Sequence, residues 1–355
     1  MPSPLELPYR PQDPSAYRPK IGLIGCGGIT IEHLTAYRNA NYDVVALCDL
    51  FEPRATQRRD EFYPDAAVYI DYRELLRRDD IEVVDIALHP PQRPPVVEAA
   101  IRAGKHVLSQ KPFVLDLDEG QRLVELADQH QVRLAVNQNG RWAPHYSYIR
   151  SAIAAGLLGE LSAVHMAVHW DHTWVQGTEF ENVHHLILYD FAIHWFDLIC
   201  CFFGNRIIRR VYASATSYRS QPVQPPLLAQ AVMELDGAQA SLAFDAFTPY
   251  QQRDTTYVAG SRGTISSNGP NLKEQAVLLT TEAGDFNPTL TGTWFPDGFH
   301  GTMAELLGAI EENREPSISA RSNLDSLALC FAAIASAESG RPVVPGTVRE
   351  LPPNR

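Results

Sequence analysis

"KIGLIGCGGIT", residues 20–30, decides how this chain is read. A short apolar run ends at Gly25, and Cys26, Gly27 and Gly28 lead straight into a stretch with helical spacing that lasts to about Ala40. Gly25 permits a tight turn and Gly27 lets the backbone approach a pyrophosphate. A helix starting near Gly28 offers its N-terminal amides to the phosphates. The third fingerprint position is Thr30, where glycine or alanine is usual. The next apolar run, "DVVALCD" (43–49), ends in Asp49. A carboxylate about 20 residues past such a loop accepts hydrogen bonds from both ribose hydroxyls of NAD. It also repels a 2′-phosphate, so NAD is expected over NADP, a preference that nearby Arg54 softens.

Outward from this motif the pattern repeats. Strands are expected at "IEVVDIAL" (81–88), "HVLSQ" (106–110) and "VRLAVN" (132–137). Helices are expected at "RATQRRDEFY" (54–63), "PVVEAAIRAG" (95–104) and "LDEGQRLVELADQH" (117–130). Alternation of this kind means crossover connections and a parallel sheet. Past residue 160 the rhythm changes to strands in series, with Asp236-Gly237 at a hairpin position, and helices return at about 299–313 and 322–339. The expected fold is α/β: a doubly wound Rossmann domain, then an α+β domain with a large open mixed or antiparallel sheet. Expected boundaries are a Pro-rich extended arm (1–18), the NAD(P)-binding domain (19–140), a substrate and oligomerisation domain (141–345) whose last helices return toward the first, and a tail (346–355).

The 355 residues suit about two domains. A formal net charge of -12 argues against nucleic acid or an anionic membrane as partner. No long apolar run or leader-like N-terminus is seen, so a cytoplasmic protein is expected. The five scattered cysteines read as reduced, core-filling thiols. One open sheet face predicts a homodimer or homotetramer.

Two segments carry candidate chemistry. "GKHVLSQKPF" puts Lys111 just beyond the carboxyl end of a strand, where ligands of doubly wound sheets bind; a solvated turn lysine is the plainer reading. "HLILYDFAIHWFDLI" (185–199) is almost wholly apolar, yet Asp190, His194 and Asp197 recur in it at offsets of four and three, on one helical stripe. Burying such groups unpaired costs several kcal/mol, so they are either a mutually satisfied core set or part of a reaction. Asp197 is assigned to structure.

With "GCGGIT", "AGKHVLSQKP" and "LYDFAIHWFD", in that order, the chain resembles the glucose–fructose oxidoreductase / inositol dehydrogenase / rhizopine-catabolism (Gfo/Idh/MocA) oxidoreductase family over roughly residues 18–345. The resemblance implies oxidation of a sugar, inositol or glycoside hydroxyl, or the reverse reduction, with bound NAD(P). Members carry Glu-Lys-Pro after strand five and Asp-x-x-x-His on a helix of the second domain, which fall here on Gln110–Lys111–Pro112 and on Asp190 and His194. Gln110 therefore replaces a glutamate, and "HPPQR" (89–93) stands where many members have a histidine leading into the helix. The implied roles are His194 as general acid/base, Lys111 as polariser of the reacting oxygen and Asp190 as orienter. All three are expected to face the nicotinamide across a cleft between domains.

Cofactor contacts are expected from Gly25, Gly27, Gly28, Ile29, Thr30, Asp49, Arg54, His89, Pro90, Gln110, Lys111 and Asn137. Substrate contacts are expected from Arg141, Trp142, His172, Trp174, His184 and His300, with Trp174 stacking on a pyranose face and His172 and His184 donating to hydroxyls. His165 and His169 share a strand face that could hold a metal, but no metal is expected. Two other readings stand beside the dehydrogenase. One is a glycoside-cleaving enzyme that oxidises C3 transiently and eliminates the leaving group without net NADH; the other is an NAD- or sugar-sensing protein without catalysis.

Overall fold

The computed structural model describes residues 4–271 and 273–352; the first three residues of the expected arm and the last three of the tail lie outside them. The chain divides into two compact units. One comprises Pro11–Asn139 and Phe295–Leu324, the other Met1–Arg10, Gly140–Trp294 and Asp325–Arg355.

The first unit is built on six parallel strands: β1 (Lys20–Ile24), β2 (Asp43–Cys48), β3 (Ala67–Tyr69), β4 (Ile81–Ile86), β5 (His106–Ser109) and β6 (Leu134–Val136). Their order is β3-β2-β1-β4-β5-β6, with the order reversing between β1 and β4. The connecting helices are α1 (Thr30–Asn39), α2 (Glu52–Phe62), α3 (Tyr72–Leu76), α4 (Arg93–Arg102) and α5 (Leu117–Gln129). The central strands are buried on both faces: β1 without a break from Ile21 to Ile24, and β4 everywhere but Glu82. Full burial of Ile21 and Leu23 alone contributes roughly 2 kcal/mol each.

The second unit holds α6 (Pro144–Ala154), α7 (Ile193–Phe203) and an eight-stranded mixed sheet. Its strands are β7 (Leu161–His169), β8 (Ile208–Thr216), β9 (Leu228–Leu235), β10 (Ala238–Asp245), β11 (Arg253–Gly260), β12 (Gly263–Asn271), β13 (Glu274–Thr281) and β14 (Gly284–Phe286). The order is β14-β13-β12-β11-β7-β10-β9-β8. Among the described residues of this sheet only β7 and β10 run parallel, in register from Ala163↔Gln239 to His169↔Asp245. The expected hairpin at Asp236-Gly237 joins β9 to β10, with Gly237 at positive φ. Burial alternates along each strand, so Val211, Met233 and Val258 point inward while Tyr212, Val232 and Tyr257 line an open face.

The final helices are α8 (Asp297–Glu311) and α9 (Ala320–Ser339). Segment 295–324, with α8, groups with the first unit, and the division falls inside α9. The described part of the Pro-rich arm is fixed to its own chain. In the second unit Leu7 is buried, and Ser147 and Ser151 of α6 donate to the carbonyls of Tyr9 and Pro8. In the first unit the backbone amides of Ser15, Ala16 and Tyr17 converge on the Glu311 carboxylate and hold its pKa down at about 2. Among the described residues all five cysteines are unpaired, and no helix is long and apolar enough to cross a membrane.

Candidate active site

In the first unit the glycine loop has the geometry of a phosphate cradle. Gly25 sits at φ +91°, and a Cβ there would lie 2.6 Å from the Ala87 carbonyl oxygen, so only glycine fits. A Cβ on Gly27 or Gly28 would meet nothing within 4 Å, which leaves open space over the start of α1. Thr30 is buried, and its hydroxyl donates to the Gly27 carbonyl at 2.6 Å. The hydroxyl at the third fingerprint position therefore pins the loop from below. Asp49 accepts from the Cys26 and Phe51 amides at 2.8 and 2.9 Å, one bond to each carboxylate oxygen. Each oxygen keeps a lone pair, so the carboxylate can still accept from a ribose. Exposed Arg54 lies over the Phe51 ring, and Ile29, His89 and Pro90 are at or near the surface. These residues fit a dinucleotide.

Gln110 is placed by a buried network that the sequence reading missed. His33 Nδ1 donates to Asp85 Oδ2 at 2.6 Å, and the Tyr37 hydroxyl donates to the same oxygen at 2.6 Å. With Nδ1 as donor, Nε2 of His33 is an acceptor, and the Gln110 amide nitrogen stands 3.2 Å from it. The other end of Gln110 accepts from the Lys111 backbone amide at 2.8 Å. Asn137 is fully buried in the same network, accepting from Thr302 at 3.0 Å with its amide nitrogen 3.5 Å from His33. Arg93, 1% exposed, donates to the carbonyls of Leu88, Pro112 and Phe113 and so ties the turn after β4 to the turn carrying Lys111. The available signal was Asp85, a carboxylate inside the apolar strand "IEVVDIAL", which burial obliges to find partners.

In the second unit the segment 185–199 is not one continuous α-helix, correcting the shared-stripe reading. Residues Ile187–Phe191 form a π-turn, and α7 proper starts at Ile193. Insertions of this kind recur at functional sites. Asp190 lies in the π-turn and His194 in the first turn of α7, both more than nine-tenths buried. Trp294 stands edge-on to His194 at 5.2 Å. Gly140 allows that approach, since a Cβ there would lie 3.2 Å from Trp294 and 3.5 Å from His194 Nδ1. Asp197 is structural: Arg141 Nε and Nη2 reach its two oxygens at 2.6 and 2.7 Å, and Ser326 donates at 3.0 Å.

That ion pair commits the Arg141 fork to a buried carboxylate. Trp142 is buried, with the Arg150 guanidinium 4.7 Å over its ring. His300 belongs to the first unit, where it bonds Asp13 at 2.8 Å and stands edge-on to Tyr42. His184 turns its Nε2 to Glu338. His165 and His169 bond Ser241 and Asp245 respectively, and four residues along a strand separates them by about 13 Å, too far to share one ion.

His172 and Trp174 do come together. His172 stacks on Trp170 at 5.5 Å and 15°, and Phe191 packs against it at 4.6 Å. Burial pushes its pKa down to about 4, so the ring is neutral at pH 7, and among the described residues its Nδ1 has no hydrogen-bond partner. Trp174, 54% exposed, adjoins Phe180 and Phe191. Phe191 thus joins this aromatic platform to the turn that bears Asp190.

Residues 19–138 match the oxidoreductase family's NAD-binding Rossmann fold, and residues 146–266 match the Gfo/Idh/MocA C-terminal domain. A D-apiose dehydrogenase of Paraburkholderia graminis is 26% identical over 337 residues, covering 91% of this chain and 89% of its own. An inositol 2-dehydrogenase of Rhizobium meliloti is 25% identical over 344 residues, covering 91% and 98%. An Agrobacterium radiobacter oxidoreductase, solved with NAD+, L-tartaric acid and magnesium, has the same fold at a TM-score of 0.82 and 21% identity, covering 93% of this chain and 99% of that one. The chain belongs to the Gfo/Idh/MocA oxidoreductase family and is an NAD-binding dehydrogenase or reductase.

Proposed function

We propose that the protein oxidises a hydroxyl of a sugar, inositol or glycoside, or reduces the corresponding ketone. The observation that carries this reading is the aromatic platform of His172, Trp174 and Phe191, which continues into the turn bearing Asp190 just ahead of His194. A half-exposed indole beside a neutral imidazole suits the apolar face and hydroxyl edge of a sugar ring. The curated relatives act, by their names, on D-apiose and on inositol.

In this mechanism NAD, when bound over the glycine loop and Asp49, would supply the hydride acceptor, or the donor in the reverse direction. His194 removes the hydroxyl proton in oxidation and returns it in reduction. Asp190 orients the imidazole or a neighbouring hydroxyl. Lys111, its backbone fixed through Gln110 and Arg93, donates to the reacting oxygen and stabilises alkoxide character. His172 bonds a second hydroxyl through Nδ1. The open sheet face is the proposed surface for association between copies of this chain.

The test is NAD reduction over a panel of inositols, aldoses including apiose, and methyl glycosides. Stoichiometric NADH with one class supports the dehydrogenase. Glycoside cleavage without net NADH favours the elimination reading, and hydride exchange with none would leave only a sensor. Lys111→Ala is expected to lower kcat about 10²-fold or more with NAD affinity little changed. Equal losses in both would make Lys111 a cofactor residue.

A further inference from the structure

Adjacent histidines 184 and 185 turn toward one carboxylate. Nε2 of His184 lies 2.9 Å from Oε1 of Glu338, and Nε2 of His185 lies 3.2 Å from the same oxygen. Neighbouring side chains of an extended or helical chain diverge, so the backbone between these two must turn. It does so at His185, whose φ of +46° is a left-handed conformation uncommon outside glycine. The two rings stand at 88° to each other with centroids 4.5 Å apart, and the ligand-type atoms of all three residues lie within 4.8 Å of one another. Both imidazoles are shielded, whereas the Glu338 side chain is 47% exposed, so the cluster is open on one side.

We propose that His184, His185 and Glu338 form a binding site for a divalent transition-metal ion, with zinc as the reference. Tetrahedral zinc with bonds of about 2.0–2.1 Å places its ligand atoms about 3.3 Å apart. The nitrogen–oxygen separations of 2.9 and 3.2 Å are already close to that edge. Two imidazoles and one carboxylate suit zinc and its neighbours, whereas magnesium and calcium favour all-oxygen shells. The fourth position, on the open side, is left for water. His185 also begins the segment that carries the proposed acid/base groups, its carbonyl accepting from the Tyr189 amide at 2.9 Å. Glu338 sits in the last turn of α9. A bound ion therefore fastens the start of the π-turn to the end of α9, and it takes no part in hydride transfer.

The experiment is a zinc titration of chelator-treated, desalted full-length protein against a chromophoric competitor, for the natural chain and for Glu338→Gln and His184→Ala. One equivalent bound per chain, at least ~10-fold weaker in both variants, supports the site. So does a zinc-dependent rise in melting temperature confined to the natural chain. Should a variant fail to fold, cobalt(II) added to the natural chain still decides, since a four-coordinate absorption spectrum is expected. No bound equivalent, binding that survives both substitutions, or a cobalt spectrum identical to that of the free ion overturns the proposal and leaves a plain histidine–carboxylate cluster.

Discussion

His33 of the first unit and His172 of the second are both buried imidazoles beside residues assigned to chemistry, and they are held in opposite ways. His33 meets Asp85 on one nitrogen and the Gln110 amide on the other, so both are used within the fold. His172 is stacked on Trp170 with Phe191 packed at an angle against it, and among the described residues its Nδ1 has no hydrogen-bond partner. In the segment 185–199, Asp197 is held by Arg141 and Ser326, and Asp190 and His194 occupy an irregular turn and the helix start that follows it. A buried polar group whose hydrogen bonds close within the protein positions something else. One left open inside an aromatic wall is suited to a ligand.

The sharpest way to break this comparison is His194→Ala. Loss of the proton carrier is expected to lower kcat by about 10²–10⁴-fold, with NAD affinity and melting temperature nearly unchanged in a binding titration and a thermal scan. A large loss of stability instead would make His194 a structural residue. Arg141→Met should do the reverse. It strands a buried carboxylate, costs about 3–5 kcal/mol of stability, and shows in denaturant unfolding.

A pH series sharpens the case of His172. Its pKa in the folded chain, about 4, lies below the ordinary 6.5 because burial penalises the imidazolium. As pH falls, the unfolded chain therefore takes up this proton first. The stability that His172 contributes is complete above about pH 6.5 and lost as pH falls toward 4, by up to about 3 kcal/mol. Buried His106 and His145 are shifted the same way, so His172→Gln should flatten the slope of unfolding free energy against pH without abolishing it. The same variant should raise KM more than it lowers kcat.

The smallest expected effect is at Gln110. Gln110→Ala removes its bonds to His33 and to the Lys111 amide, each contributing about 1 kcal/mol. A kcat reduced roughly tenfold with the fold intact is expected, and Gln110→Glu, which keeps the acceptor for the Lys111 amide, should recover most of it. No recovery would mean that the network supports packing alone.

Much of this was legible in one dimension. The glycine loop, Asp49 after β2 and the alternation of strands and helices specify a doubly wound sheet because each is a local requirement: a turn only glycine can make, a helix start, a periodic apolar face. The three motifs with Lys111, Asp190 and His194 pointed to the family for the same reason. What local pattern does not carry is the partner of each polar atom. Arg141 and Trp142 looked available beside the last strand of the first domain, and one closes on Asp197 while the other lies beneath Arg150. Asn137 and Thr30 sit at cofactor-like positions and turn inward. The π-turn is invisible to a reading that counts offsets of three and four. The sequence by itself determined which residues had to be buried and which backbone positions needed glycine, because those are properties of single residues and their near neighbours. Only the tertiary structure decided which buried polar groups were satisfied and which stayed open, because a hydrogen bond between distant segments depends on where the whole chain brings its two ends.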